Sequence, residues 1–400
     1  MYALRLAYVD PRHWYSPCLI RALKKRYPSL VFYIYLPKWS KIETLHKKIY
    51  SYEKSANDSS RLWTTFLYPF QVFKKARSDN VNLIHLQWEL NVFGSFYASL
   101  LLPLLLLFLR CSNIKRVITI HSVIPKSFFH SNIPGFLISN KLKTLAEIFF
   151  QILYKLVGIM SDAIIVHGHA FKELLCQDYG LKPEKIFTIP YGVPSQHSNG
   201  NPTIRFDVKS SEEQKIILAW GTISPRKGLH ILLRTFEKLA PENPSWILVI
   251  AGGVPQYYTD YYSYLKNLAS SITEHNRIKF LGNVKMENVH KLLHSSTVVV
   301  FPYLYNFGAS STLTFAFQHR KVIVISALKF IEELLTDSKN AVLVKPGNVD
   351  ALAEGIKRAM TDGHLRSTIL REMDQFVHRN SWSIVAEKTL KIYEQIMCVK

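Results

Sequence analysis

Two glycines and two cations fall within a short stretch of ILAWGTISPRKGLHILLRTFEKLA, residues 217–240. An apolar run ends at Trp220-Gly221, a short loop carries Arg226, Lys227 and Gly228, and a helical pattern follows. Gly221 and Gly228 permit tight backbone turns. Arg226 and Lys227 beside a helix N-terminus suit a diphosphate, with amides and dipole on one side and point charges on the other. The same Arg-Lys pair also fits a plain solvated surface. Ser310, Ser311 and Thr312 open a second helical pattern, where amides and hydroxyls either bind a phosphate or cap the helix. His121 follows RVITI, at the carboxyl end of an apolar strand. Ligands of open α/β sheets sit at such ends, although a lone histidine there is as readily structural.

The elements that must position these groups alternate along the whole chain. Strands are predicted at Leu4–Val9, Leu30–Leu36, Asn82–Leu86, Arg116–Ile120, Ala163–His167 and Ile186–Ile189, then at Lys215–Trp220, Trp246–Ala251, Ile278–Leu281, Thr297–Phe301, Val322–Ile325 and Ala341–Val344. Their Val, Ile and Leu run continuously instead of alternating, as in parallel strands covered on both faces. Helical patterns fill the gaps, among them Lys227–Leu239, Val349–Met360 and Ile384–Met397. A polar stretch at 195–214 separates two complete strand–helix series and reads as a linker. The expected fold is α/β: two doubly wound, Rossmann-like domains with parallel sheets and a cleft between them. The domains are 1–194 and 215–379, with 380–400 forming a last helix.

Charge narrows the partners. The 400-residue chain has 48% hydrophobic and 20% charged residues, a globular composition, with a net charge of +21. Residues 1–200 hold 25 basic and 11 acidic side chains, and 201–400 hold 25 and 18, so the excess is greater in the first half. Such an excess implies nucleic acid, anionic lipid headgroups or phosphorylated small molecules. Basic Lys38–Lys48, with Trp39, Tyr50, Tyr52 and Trp63 around it, suits a membrane surface or a loop packed on the core. Val92–Leu109 is eighteen residues without charge; it reads as a buried or interfacial helix, or as a marginal membrane span. Asp10 comes too soon for a signal peptide. Four dispersed cysteines without a CxxC indicate neither disulfides nor a zinc site. No nucleic-acid module, Asp-x-Asp, GxGxxG after the first strand, or GxxxxGK[ST] occurs.

The 217–240 block is followed in order by Ala251-Gly252-Gly253, IKFLGNV (Ile278–Val284) and VVVFPY (Val298–Tyr303). NLIHLQWE, RVITIHSV, SDAIIVHGHAFKELL and IFTIPYGV precede it, and NSWSIVAEKTLKIYEQI closes the chain. This ordered set resembles the GT-B glycosyltransferases of family 4. The resemblance implies transfer of a sugar from a UDP- or GDP-linked donor with retention of configuration, without a metal ion or other cofactor. It places Lys227, with Arg226 beside it, on the donor diphosphate, and His121 near the reacting carbon. Gly282 and Asn283 fall where the base is held largely by main-chain atoms.

Several positions depart from the family pattern. No Asp or Glu occurs from Asn288 to Ile331, and Phe307 and Phe315 stand where two glutamates are usual. Thr222 replaces an arginine, and Asp10-Pro11-Arg12-His13-Trp14 replaces a Gly-Gly turn, which assigns Arg12, His13 and Trp14 to the acceptor side. The resulting expectation is a cytoplasmic transferase, peripheral on the inner face of the cell membrane. Its partners are a nucleotide-sugar, a lipid-linked or glycan acceptor and the anionic surface, and not nucleic acid. The missing glutamates leave one alternative, a weakly catalytic relative that scaffolds partner transferases.

Overall fold

A computed structural model describes residues 4–9, 15–35, 61–89, 100–130, 140–194 and 214–398. They fall into two compact units: residues 1–192, 307–309 and 382–400, and residues 193–306 and 310–381. The segments 38–48 and 195–213, the residues Arg12, His13 and Trp14, and positions 92–99 of the apolar run lie outside the described residues.

All twelve expected strands form. Unit 1 contains β1 (Arg5–Val9), β2 (Val31–Tyr35), β3 (Leu83–Trp88), β4 (Lys115–Ile120), β5 (Ala163–Val166) and β6 (Ile186–Thr188) in the parallel order β2-β1-β3-β4-β5-β6. Unit 2 contains β7 (Lys215–Trp220), β8 (Trp246–Ala251), β9 (Ile278–Gly282), β10 (Val298–Phe301), β11 (Val322–Ser326) and β12 (Val342–Val344) in the parallel order β12-β11-β10-β7-β8-β9. Every residue of β3 and β8 is buried, which is why these strands read as unbroken apolar runs. In unit 2 the chain runs outward from β7 to β8 and β9, then crosses back to β10 on the other side of β7. The resulting switch point opens a crevice at the carboxyl ends of β7 and β10.

Unit 1 carries helices α1 (Tyr15–Arg26), α2 (Arg61–Ser78), α3 (Leu102–Cys111), α4 (Lys126–His130), α5 (Asn140–Met160) and α6 (His169–Gln177). In unit 2 follow α7 (Leu229–Leu239), α8 (Thr259–Ser270), α9 (Met286–Ser295), α10 (Ser311–Gln318), α11 (Lys329–Leu334), α12 (Val349–Thr361) and α13 (Gly363–Arg379). The last helix, α14 (Trp382–Cys398), packs on α1 in the core of unit 1. Leu229, Leu232, Leu233, Phe236 and Leu239 form the buried stripe of α7, at the three- and four-residue spacing of a helix on a sheet.

One expectation changes in detail. The helix expected from Lys227 begins at Leu229, because Pro225–Lys227 forms a 3-10 turn and Gly228 takes a φ of 64° before the helix. In the described part of the apolar run, Leu102, Leu105, Leu106 and Leu109 of α3 are buried. Among the described residues no helix is long and apolar enough to cross a membrane.

Candidate functional site

At the carboxyl edge of the unit 2 sheet, three neighbouring strands end in glycine. Gly221 after β7, Gly252 after β8 and Gly282 closing β9 have φ values of 136°, 154° and 62°. Side chains rarely adopt such angles. The backbones also lie close together. A Cβ on Gly252 would fall 1.8 Å from the Gly221 carbonyl oxygen, whereas one on Gly282 would meet nothing within 4 Å. The Gly221 N–H donates to Ala251 and the Gly252 N–H to Gly282, at 2.9 and 2.7 Å. Asn283 stands over Gly253, its Oδ1 3.8 Å from where a Cβ on that glycine would lie. The result is a bare main-chain edge, open to close approach by a flat polar ligand.

The side chains gather beside it, at the switch point. Gly228 directs the chain past β10, where a Cβ would fall 1.9 Å from the Pro302 carbonyl oxygen. This close approach seats Lys227 in a small pocket lined by Trp220, Gly221, Thr222, Pro302 and Tyr303. Lys227 is 8% exposed and its Nζ donates to the Tyr303 hydroxyl at 2.6 Å. That hydroxyl is 3.2 Å from Ser310 Oγ and 3.4 Å from Thr312 Oγ1, which are 2.8 Å from each other.

Burial pulls the Lys227 ammonium below its ordinary pKa, and the Arg226 charge adds to this, while Tyr303 acts against it. Burial raises the Tyr303 phenol, but the Lys227 charge and hydrogen bonds from Lys227, Ser310 and Thr312 bring it below its ordinary value. Each group thus favours the charged form of the other, as expected of a buried cation held by a phenol.

Ser310 occupies the N-cap position of α10, yet its side chain makes no capping bond. Its hydroxyl turns instead toward Tyr303 and Thr312. Ser310 is thus an N-cap by position and a member of the Lys227 cluster by bonding. The first-turn N–H groups of a helix lack intrahelical acceptors and favour an anion. Ser311 stays outside the cluster, its carbonyl accepting from Thr314 Oγ1 at 2.7 Å. The charge of Arg226 bears on Lys227, Tyr258 and Tyr305. Phe315 is buried against Trp220 with ring centroids 5.5 Å apart.

In unit 1, His121 follows β4 and is 7% exposed. Its Nδ1 lies 3.0 Å from His167 Nε2 and its Nε2 lies 2.9 Å from Gln87 Oε1. The ring of Tyr15 meets it edge-on at 4.9 Å. His167 Nδ1 is 3.0 Å from the Ile189 carbonyl, which only accepts, so Nδ1 carries the proton. Burial lowers His167 to about 4, partly offset by that bond, so its Nε2 is a free acceptor for His121 Nδ1–H. A neutral His121 then takes a hydrogen bond from the Gln87 amide NH2 turned toward it, a group with no partner among the described residues. An imidazolium would instead donate to the Gln87 oxygen.

On the same side of the sheet His85 joins Thr119 Oγ1 at 2.7 Å and the Tyr393 hydroxyl at 2.5 Å, and Tyr393 joins Tyr8 at 2.6 Å. Burial, with a smaller effect of His167, lowers His85 to about 3.

The structure thus brings Lys227, Ser310, Thr312 and Gly221 into one cluster in unit 2, with Gly282 and Asn283 along the same strand edge. Tyr303, Gly252, His167 and Gln87 were missed in the sequence. Tyr303 ends the run VVVFPY and Gln87 lies in NLIHLQW, so each stood at the carboxyl end of a strand, where polar residues in apolar runs repay inspection.

The chain is similar to known proteins over most of its length. Residues 200–373 match the family described as Glycosyl transferases group 1, and residues 19–197 match Glycosyltransferase Family 4. An uncharacterized glycosyltransferase of Methanocaldococcus jannaschii is 24% identical over 245 residues, 59% of this chain and 61% of that protein. A phosphatidyl-myo-inositol mannosyltransferase of Mycolicibacterium smegmatis is 26% identical over 172 residues, 43% of this chain and 42% of that protein. The chain spans less than two thirds of the length of either relative. The crystal structure of Anabaena HepE in complex with UDP-glucose shares the fold, with a TM-score of 0.71 at 16% identity over 99% of this chain and 100% of that one.

Proposed function

The chain belongs to the family-4 GT-B glycosyltransferases, and we propose that it moves a sugar from a UDP- or GDP-linked donor to a lipid-linked or glycan acceptor, with retention of configuration. The observation that carries this reading is the convergence of Lys227, Tyr303, Ser310 and Thr312 at the switch point, beside a strand edge of glycines. A buried ammonium and the start of α10 suit a diphosphate; the bare main chain suits the nucleoside. The mannosyltransferase and the UDP-glucose complex among the similar proteins support the same donor and acceptor classes.

In the proposed reaction the bond between the anomeric carbon and the donor phosphate breaks, and negative charge develops on the departing oxygen. Lys227, Arg226 and the first turn of α10 stabilise that charge, and no metal ion is needed for it. Tyr303 holds the ammonium in place. The acceptor hydroxyl attacks from the face that the phosphate leaves, and the phosphate oxygen takes its proton, so no protein base enters. His121 positions the sugar, with its Nδ1 proton fixed by His167. The basic first half meets an anionic membrane surface on the cytoplasmic side, where a lipid-linked acceptor resides, with Arg12, His13 and Trp14 on the acceptor side.

The test is turnover of a panel of nucleotide-sugars with membrane lipid extracts. Transfer from a UDP- or GDP-linked donor is expected, and neither transfer nor donor hydrolysis with any donor would overturn the reading. Phe315 in place of a family glutamate favours one second reading, a scaffold for partner transferases. A protein that binds no nucleoside diphosphate would support it.

A further inference from the structure

Helix α5 is apolar on both sides. Phe150, Leu153, Tyr154 and Val157 face the core of unit 1, while Leu145, Ile148, Ile152 and Ile159 are 60%, 48%, 55% and 62% exposed. The exposed residues recur at three-, four- and seven-residue steps, so they form one outward stripe along the helix. Helix α3 packs on both α5 and α2, and exposed Leu107 of α3 and Phe70 of α2 widen the apolar area. A helix that is apolar on two faces but too charged to span a membrane fits a boundary between protein and lipid.

Cations predominate around this stripe. Lys155 is exposed on the same face and Arg110 is exposed at the end of α3. Lys185 Nζ donates to the carbonyls of Gly158, Ile159 and Ser161 at the carboxyl end of α5, at 3.3, 3.4 and 3.0 Å. Burial lowers the Lys185 pKa, and the charges of Arg110, Arg116 and Lys182 lower it further against the pull of Asp162. Asp162 itself pairs with Arg116 at 2.7 Å. Glu184 lies at this end as well, and Glu147 is the one acidic residue of α5. Cations therefore outnumber carboxylates where the apolar stripe ends.

We propose that the outward face of α5 docks unit 1 on an anionic lipid bilayer. Leu145, Ile148, Ile152 and Ile159 enter the headgroup boundary while Arg110, Lys155 and Lys182 meet lipid phosphates. This rests on the membrane reading given above but places it on another element: α3 in the apolar run buries Leu102, Leu105, Leu106 and Leu109, whereas α5 turns Ile148, Ile152 and Ile159 outward.

The experiment is co-sedimentation of the full chain with vesicles of phosphatidylcholine alone or mixed with phosphatidylglycerol, without donor or acceptor. The wild type should bind the mixed vesicles at least tenfold better than the neutral ones. The double variant Ile148→Gln/Ile152→Gln should lose at least tenfold in binding with unchanged melting temperature and elution volume. Arg110→Gln/Lys155→Gln should lose the preference for anionic vesicles. Full binding by the isoleucine variant would overturn this face while leaving the membrane reading intact. No binding by the wild type would overturn both. A wild-type dimer that the isoleucine variant dissociates would make a second copy, not lipid, the occupant of the stripe.

Discussion

The two units share an architecture of parallel strands under helices, yet their carboxyl edges are built from opposite materials. Unit 2 ends three adjacent strands in glycine and adds the buried cation Lys227. Unit 1 lines its edge with buried side chains: His85 and Gln87 on β3, Thr119 on β4, then His121 and His167. Main-chain recognition needs only space and backbone angle, so it tolerates change in surrounding residues. A network of imidazoles, phenols and an amide needs each partner in place, because every buried polar atom left unpaired costs stability.

The comparison breaks most severely at Lys227. Lys227→Ala should lower turnover roughly 100- to 1,000-fold, as removal of one charge-stabilising donor does elsewhere; initial rates with the preferred donor give the answer. The glycines follow. Gly252→Ala meets a carbonyl at 1.8 Å and should lose about 3 kcal/mol or more, seen as a melting temperature lower by roughly 5–10 °C. Gly282→Ala has only its backbone angle to oppose it and should lose about 1–2 kcal/mol. Equal losses at the two sites would remove the case for a tightly stacked edge.

Unit 1 should answer to pH and to side-chain deletion. His167 at about 4 and His85 at about 3 are held neutral by burial, while in the unfolded chain both titrate near 6.5. As pH falls below about 6.5 the unfolded state takes up protons that the folded state refuses. Stability is therefore full above that pH and declines toward pH 4, with a fall of roughly 5 °C or more in melting temperature between pH 7 and 4.5. A flat profile would contradict buried neutral imidazoles. His167→Ala leaves the His121 Nδ1 proton without its acceptor, at a loss of about 1–3 kcal/mol, and should lower kcat with little change in donor affinity.

The smallest expected effect is at Tyr303. Tyr303→Phe removes a hydrogen bond that favours the Lys227 ammonium. Its kcat/KM should fall roughly three- to tenfold, and the alkaline limb of its pH profile should move to lower pH. An unmoved limb would show that the phenol does not hold the cation.

Most of the fold was legible in the sequence, because continuous Val, Ile and Leu runs mark strands buried on both faces, and β7 and β8 fall at their expected residues. Lys227 and Gly221 were legible for a related reason: they sit in a strand–turn–helix block. Tyr303 was not, since a tyrosine after an apolar strand is ordinarily core, and only the pairing of β7 with β10 brings it to Lys227. The His121–His167 bond joins positions 46 residues apart, a separation that no local pattern encodes. The outward stripe of α5 was hidden in another way. Its apolar residues satisfy a core helix, and only packing reveals which of its two apolar faces is left uncovered.

The central claim is that Lys227 and the start of α10 hold a donor diphosphate. Isothermal titration of UDP and GDP into the wild type, Lys227→Ala and Lys238→Ala tests it most directly. Lys238 is a suitable control, since it is an exposed lysine paired with Asp350. One nucleotide should bind the wild type and Lys238→Ala alike, with affinity at least tenfold weaker for Lys227→Ala. Equal affinity for all three proteins, or no binding of either nucleotide to the wild type, would contradict the account.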